Sequence, residues 1–237
     1  MTPIKIYLHC YMVNHYLEVV DEIFNKIVSS GLYEQCSKVY VGCLGSSEEL
    51  KKLQAYLSKY PKVEIAAYSN NEKEYEFFTL RVLKKHCDDS KEKFFALYCM
   101  TKGVSYGKEH ELYEGGKFWL DYMIDWNITR WRNNYKALNM KFRGYDISGV
   151  KVIPARESPS NRVHFSGNWW MANSEYIKSL RKIETLNKND RWEAEMWSTS
   201  GQPIIYMPCN LFVDYIVKGN YYDFIKNYSE LKEYTLE

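Results

Sequence analysis

Four apolar runs, each followed by a segment of different periodicity, constrain the fold of this chain more than any other feature. Residues 4–9 (IKIYLH), 37–43 (SKVYVGC), 63–67 (VEIAA) and 94–99 (FFALYC) read as β-strands. Between the first two, Leu17, Val20, Ile23, Phe24, Ile27 and Val28 fall at three- and four-residue steps, which predicts a helix with Gly31 as its C-cap. A second helix is predicted from Ser46 or Ser47 to about Ser58, with Glu48 and Glu49 favourable in its first turn. Asn70 and Asn71 open a third, roughly residues 74–87. Continuous apolar strands are buried on both faces, and regular alternation with helices requires a parallel sheet covered on each side. The expected fold class is therefore α/β, with a Rossmann-like, mostly parallel sheet flanked by helices. Neither G-x-G-x-x-G nor G-x-x-x-x-G-K-S/T occurs, so the common dinucleotide and P-loop phosphate motifs are absent.

Beyond Met100 the alternation stops and an irregular, aromatic-rich half begins. Residues 101–116 form a polar connection long enough for a functional loop. A helix over about 117–136 follows, carrying Phe118, Trp119, Tyr122, Trp126 and Trp131. A strand is predicted over 145–152, a loop over 154–161, a helix from an Asn173 or Ser174 cap to about Lys182, and a further helical stretch near 190–198. A last strand is expected at 203–207 and a closing helix at 221–233. At 237 residues, with no repeat and no low-complexity linker, one domain spanning 1–237 is expected.

Charge and cysteine usage exclude several classes. Lys plus Arg is 32 against 30 for Asp plus Glu, and a net charge of +2 argues against a nucleic-acid partner. The six cysteines, at 10, 36, 43, 87, 99 and 209, form no CxxC pair and read as buried thiols in a reducing compartment. The longest apolar run falls well short of the roughly 18 residues of a membrane span. A cytoplasmic protein without a transmembrane segment is expected, and a peripheral membrane contact is compatible with that.

The densest chemistry lies in VHFSGNWWMA at residues 163–172 and RWEAEMW at 191–197. A sugar offers hydroxyls in fixed directions and C–H patches on its ring faces; indoles cover the patches, and Asn, Ser and His satisfy the hydroxyls. Ser166, Asn168, Trp169 and Trp170 are thus candidates for sugar and acceptor binding, although adjacent residues of an extended segment point to opposite faces, so one indole can be core.

HFSGNWWMA, followed by a tyrosine-containing helix and R-x-x-x-E-x-W, resembles a family of small GT-A-type glycosyltransferases of bacterial and large-virus polysaccharide-building systems, whose members read HFSGNFWWA here. LYCMTKGVS at 97–105 resembles the family's YLHTKG element. Thr101, Lys102 and Gly103 match it, whereas Cys99 stands where histidine is usual. The resemblance runs from the first strand to about Pro208. It implies a GT-A-like fold, polysaccharide biosynthesis, and hexosyl transfer from a nucleotide-diphosphate sugar donor to a saccharide or glycan acceptor. Residues 1–105 would form the nucleotide-binding half and 106–237 the sugar- and acceptor-binding half.

In an open parallel sheet the ligand lies beyond the carboxyl ends of the strands. That rule selects residues 9–14, 68–71 and 100–105, and with them His9, Tyr11, Thr101, Lys102 and Gly103 as donor-binding candidates, with Thr79 bordering the nucleotide. Asp88 and Asp89 precede the fourth strand, at its wrong end, and read as a solvated turn. Many GT-A enzymes hold Mn2+ or Mg2+ through a DxD element; none follows any strand here, and Lys102 with the backbone N–H groups around Gly103 can neutralise a departing diphosphate without a metal. Metal dependence stays open at this point. Glu193 and Glu195 lie two apart on one helix, about 200° around its axis, so only one can face a cleft. Glu195, which matches the family glutamate, is the preferred base over Glu193, and His164 is a third catalytic candidate. The competing reading is a non-catalytic saccharide-binding module of the same fold. Nucleotidyl transfer fits less well, because residues 9–14 contain no glycine.

Overall fold

The structure, a computed structural model, describes residues 1–140, 144–158 and 160–209. The four predicted amino-terminal strands form as β1 (Ile4–Tyr11), β2 (Cys36–Leu44), β3 (Val63–Ser69) and β4 (Phe95–Met100), all parallel. They alternate with α1 (Tyr16–Ser29), the short α2 (Leu32–Gln35), α3 (Ser47–Leu57) and α4 (Phe77–Asp89). Gly31, at φ 74°, takes the left-handed conformation that ends α1, and Ser46 caps α3 by accepting from the Glu49 N–H. Helix α4 starts three residues later than its sequence pattern predicts, because residues 72–74 make a 3-10 turn and Tyr75 has a φ of 43°.

The carboxyl-terminal half completes the sheet with short strands. In chain order they are β5 (Ile147–Gly149), β6 (Val152–Ile153), β7 (His164–Phe165), β8 (Trp170–Asn173) and β9 (Ile205–Tyr206). The main sheet runs β3-β2-β1-β4-β8-β5-β9, with β8 antiparallel to both neighbours; β6 and β7 pair separately. The strand expected over 145–152 is thus two strands in two sheets. Lys151, at φ 52°, breaks it and turns the chain out of the main sheet.

The long aromatic helix is also interrupted. It divides into α5 (Tyr113–Ile124), a π-helical turn over Asp125–Thr129, and α6 (Trp131–Leu138). At the break the Asn127 and Asn134 amides donate to the carbonyls of Met123 and Trp126, side chains thereby replacing part of the backbone ladder. Asn173 caps α7 (Ser174–Ser179), and α8 (Trp192–Trp197) carries the predicted glutamates. The helix expected at 221–233 lies outside the described residues.

Alternation along β1 places Ile4, Ile6, Leu8 and Cys10 against α1 and α5, and Tyr7 against α4 on the other face. All six cysteines are buried and free. Among the described residues no helix is long and apolar enough to cross a membrane.

Candidate active site at the β1–β4 switch point

From β1 the chain moves outward to β2 and β3, then returns to β4 on the other side of β1. Strand order therefore reverses between β1 and β4, where open α/β sheets bind their ligands. Thr101 clasps this point: its Oγ1 accepts from the Tyr11 N–H at 2.9 Å, and its own N–H donates to the His9 carbonyl at 3.0 Å. Gly103, at φ 86°, packs its Cα 3.3 Å from where a Cβ on Gly116 would stand, which brings the start of α5 against the corner. Lys102 and Gly103 are half-buried and border a cavity of about 110 Å³ shared with His15, Glu22 and Lys117. Burial and a hydrogen bond with Asp121 raise the Glu22 carboxyl there to about 7.

The 163–172 segment folds against the same corner. The Asn168 N–H donates to Phe165 O at 3.0 Å across a tight turn, with Gly167 at φ 86° and Asn168 at φ 53°. Trp169 Nε1 then donates to Met100 O at 3.1 Å, and Trp170 pairs with Tyr98 across β8 and β4. The tyrosine and indole rings stack with centroids 5.2 Å apart.

A buried polar chain begins at that stack. Trp170 Nε1 donates to Asn168 Oδ1 at 2.7 Å, and Asn168 Nδ2 donates to Glu76 Oε2 at 2.6 Å. The Tyr98 hydroxyl donates to the same oxygen at 2.8 Å. Burial pushes the Glu76 carboxyl up to about 7, and the negative charge of Glu195 adds to this; the bonds from Tyr98 and Asn168 and the charge of Lys102 act the other way. Lys151 belongs to the same group. Burial lowers its ammonium to about 7, the charge of Lys102 reinforces the shift and that of Glu195 opposes it. Its Nζ sits 3.3 Å from the centroid of the Trp119 ring. Two carboxyl groups and two lysines thus act on one another beside the switch point.

Of the residues singled out from sequence, Lys102, Gly103 and Glu195 reach this corner with partly exposed side chains or backbone. Tyr11 lies on its rim, half-buried, with its hydroxyl donating to Glu72 at 3.1 Å. Ser166 is half-buried and bonds through its N–H to Lys151 O. The others are corrected by their packing. Trp169 and Trp170, 1% and 0% exposed, face the two opposite sides of the sheet as adjacent strand residues must, and both sides are core. Asn168 is fully buried and holds Glu76 rather than meeting a ligand. His9 and Thr79 meet each other, Nδ1 to Oγ1 at 2.9 Å, inside the core, where burial lowers the imidazole to about 3. A Cβ at Gly42 would collide with Thr79, so that pair seats α4 on β2. Thr101 is buried and serves the clasp.

Glu193 is held by Arg162 and Arg181, one to each carboxylate oxygen. Burial raises its carboxyl, but the two guanidinium groups outweigh that and keep it below the ordinary range. With both oxygens taken, it is not a free base. His164 is 5% exposed, and its Nδ1 faces Arg162 O at 3.3 Å. Asp88 and Asp89 pair with Lys84 and Lys85 at the end of α4, as a surface turn would.

Sequence reasoning missed Glu76, Tyr98 and Lys151 as members of the site. Glu76 left one signal, since it shares a helix side with Thr79; Lys151 left none, because its position follows from its own positive φ. Among the described residues no three His, Cys, Asp or Glu side chains are arranged to hold a metal. The corner sets Lys102 and Lys151 beside its carboxyls, a donor set that does not fit a divalent cation.

A family model described as a domain of unknown function, DUF8361, matches residues 5–203. The chain belongs to this family. Every residue of the corner, from Tyr11 to Glu195, falls within the DUF8361 match. No curated protein matches the chain. Among solved structures it is similar to 4-diphosphocytidyl-2C-methyl-D-erythritol synthase from Anaerococcus prevotii DSM 20548. That similarity has 12% identity and a TM-score of 0.41, over 93% of this chain and 98% of that one.

Proposed function

We propose that the protein is a transferase that moves a sugar from a nucleotide-diphosphate donor to a saccharide or glycan acceptor. The observation that carries this reading is the buried Glu76 carboxyl, held by Tyr98 and Asn168 next to the Thr101–Gly103 corner at the β1–β4 switch point. The GT-A-type resemblance of residues 97–105 and 163–197 supports it.

In the reaction, an acceptor hydroxyl oxygen bonds to the anomeric carbon while the bond from that carbon to the diphosphate oxygen breaks. The hydroxyl proton goes to Glu195. Lys102, Lys151 and the Gly103 N–H face the negative charge that collects on the departing diphosphate, while the Thr101 and Lys102 N–H groups are held by the His9 and Met100 carbonyls. Glu76, protonated up to about pH 7, leaves the two lysines opposed by one carboxylate, so the corner keeps a net positive charge. The indoles and Asn168 act behind these groups as positioning residues.

The test is release of free nucleoside diphosphate from a panel of UDP-, GDP- and CDP-sugars. Wild type is expected to turn over one of them, and Glu195→Gln to slow that turnover about 10²- to 10⁴-fold, the usual worth of a general base, with little change in donor affinity. Equal turnover by Glu195→Gln removes it as the base. Sugar binding with no release by wild type selects the non-catalytic module instead.

A further inference from the structure

Helix α8 presents Glu195 to the switch-point corner and Glu193 to its other side, where a groove of about 760 Å³ opens. That volume is within the range of small-molecule sites. Arg162 and Arg181 line the groove, with side chains 40% and 43% exposed, while Glu193 between them is buried. Two guanidinium groups against one carboxylate leave a surplus of one positive charge. Each guanidinium has five N–H donors in a fixed fork, and the described bonds to Glu193 use one nitrogen of each.

The pair is set before any ligand arrives. Trp197 Nε1 donates to Arg181 O at 2.9 Å, His164 Nδ1 lies 3.3 Å from Arg162 O, and the Thr199 hydroxyl donates to Val163 O. Backbone and side chain of both arginines are thereby fixed, which lowers the entropy lost on binding. The groove is also lined by the apolar Leu180, Pro203 and Ile205 and by the exposed Gln202 amide. Gln202 stands at φ 55°, a strained conformation for a side-chain-bearing residue.

A guanidinium fork with a single net charge, sharing a groove with apolar side chains and an amide, matches a carboxylate carried on a sugar ring with C–H faces and hydroxyls. We infer that this groove is a second binding site, for an acidic oligosaccharide of the uronate type. The inference goes beyond the transfer reaction and does not depend on it, since none of its residues belongs to the switch-point corner.

Titration calorimetry with trigalacturonate, neutral maltotriose and inorganic phosphate tests it. Trigalacturonate is expected to bind, more tightly than either other probe. Arg181→Ala is expected to weaken it about 10-fold or more, the worth of one charge-assisted hydrogen bond. Gln202→Glu, an exposed change that leaves the fold intact, sets a like charge in the groove and is expected to weaken it too. Failure of trigalacturonate to bind overturns the inference. So does maltotriose or phosphate binding as tightly as trigalacturonate, or affinity unmoved by Gln202→Glu. Release of nucleoside diphosphate from a sugar donor, measured in the same variants, reports on the switch-point corner alone, so the two readings fail separately.

Discussion

Glu76 carries its carboxyl into a space where Tyr98 and Asn168 both donate to one oxygen, yet burial and Glu195 still hold it near pH 7. This has a stability consequence of definite sign. In the unfolded chain the group loses its proton near pH 4.5, in the folded protein near 7, so the unfolded state binds fewer protons between those values and stability falls as pH rises through them. The fall contributed by Glu76 amounts to about 3 kcal/mol. Lys151, shifted down, acts only above about pH 7, where it makes stability rise, so the two windows are separate. Glu22, also raised to about 7, acts in the same window, so Glu76→Gln is expected to remove only the Glu76 share and make the fall of the urea-unfolding free energy between pH 4.5 and 7 shallower. A slope equal to that of wild type would show that Glu76 is not the group responsible. The bond from Asn168 to Glu76 spans 92 residues of sequence, and no local pattern announces it. The indoles posed a related problem: a buried tryptophan and a cleft tryptophan are the same letter, and only Tyr98 stacked on one and Met100 O bonded to the other decide between them.

At the scale of elements, the turn 165–168 does the positioning. Gly167 is needed there twice over, for its φ of 86° and because a Cβ would stand 2.8 Å from both Met123 Sδ and Trp119 Nε1 on α5. Gly167→Ala is expected to destabilise the protein by about 2–4 kcal/mol, combining left-handed strain with overpacking against a rigid indole. Chemical denaturation measures this, and a loss under about 0.5 kcal/mol, the level of an ordinary surface change, would contradict the packing described. Strands with unbroken apolar sequence, such as FFALYC, were legible because burial on both faces leaves no polar letter. The π-helical turn at Asp125–Thr129 and the break between β5 and β6 were not, since they are marked by individual residues (the Asn127 and Asn134 amides, and Lys151) in stretches whose hydrophobic pattern continues through them.

For the whole molecule, the parallel order β3-β2-β1-β4 places the ends of β1 and β4 side by side, and antiparallel β8 brings the carboxyl-terminal half onto the same rim. The parallel half follows from alternation alone. The antiparallel insertion, which sets Trp170 against Tyr98 and so lets Asn168 reach Glu76, required the tertiary structure. The proposed function requires that this rim bind a nucleotide-diphosphate sugar through Lys102. Titration calorimetry of wild type and Lys102→Ala against UDP-, GDP- and CDP-hexoses, with and without manganese, measures it directly. One donor is predicted to bind wild type and to bind Lys102→Ala about 10-fold or more weakly, the loss expected for a charge-assisted phosphate contact. Binding of none of them, or equal affinity in the two proteins, would contradict the claim.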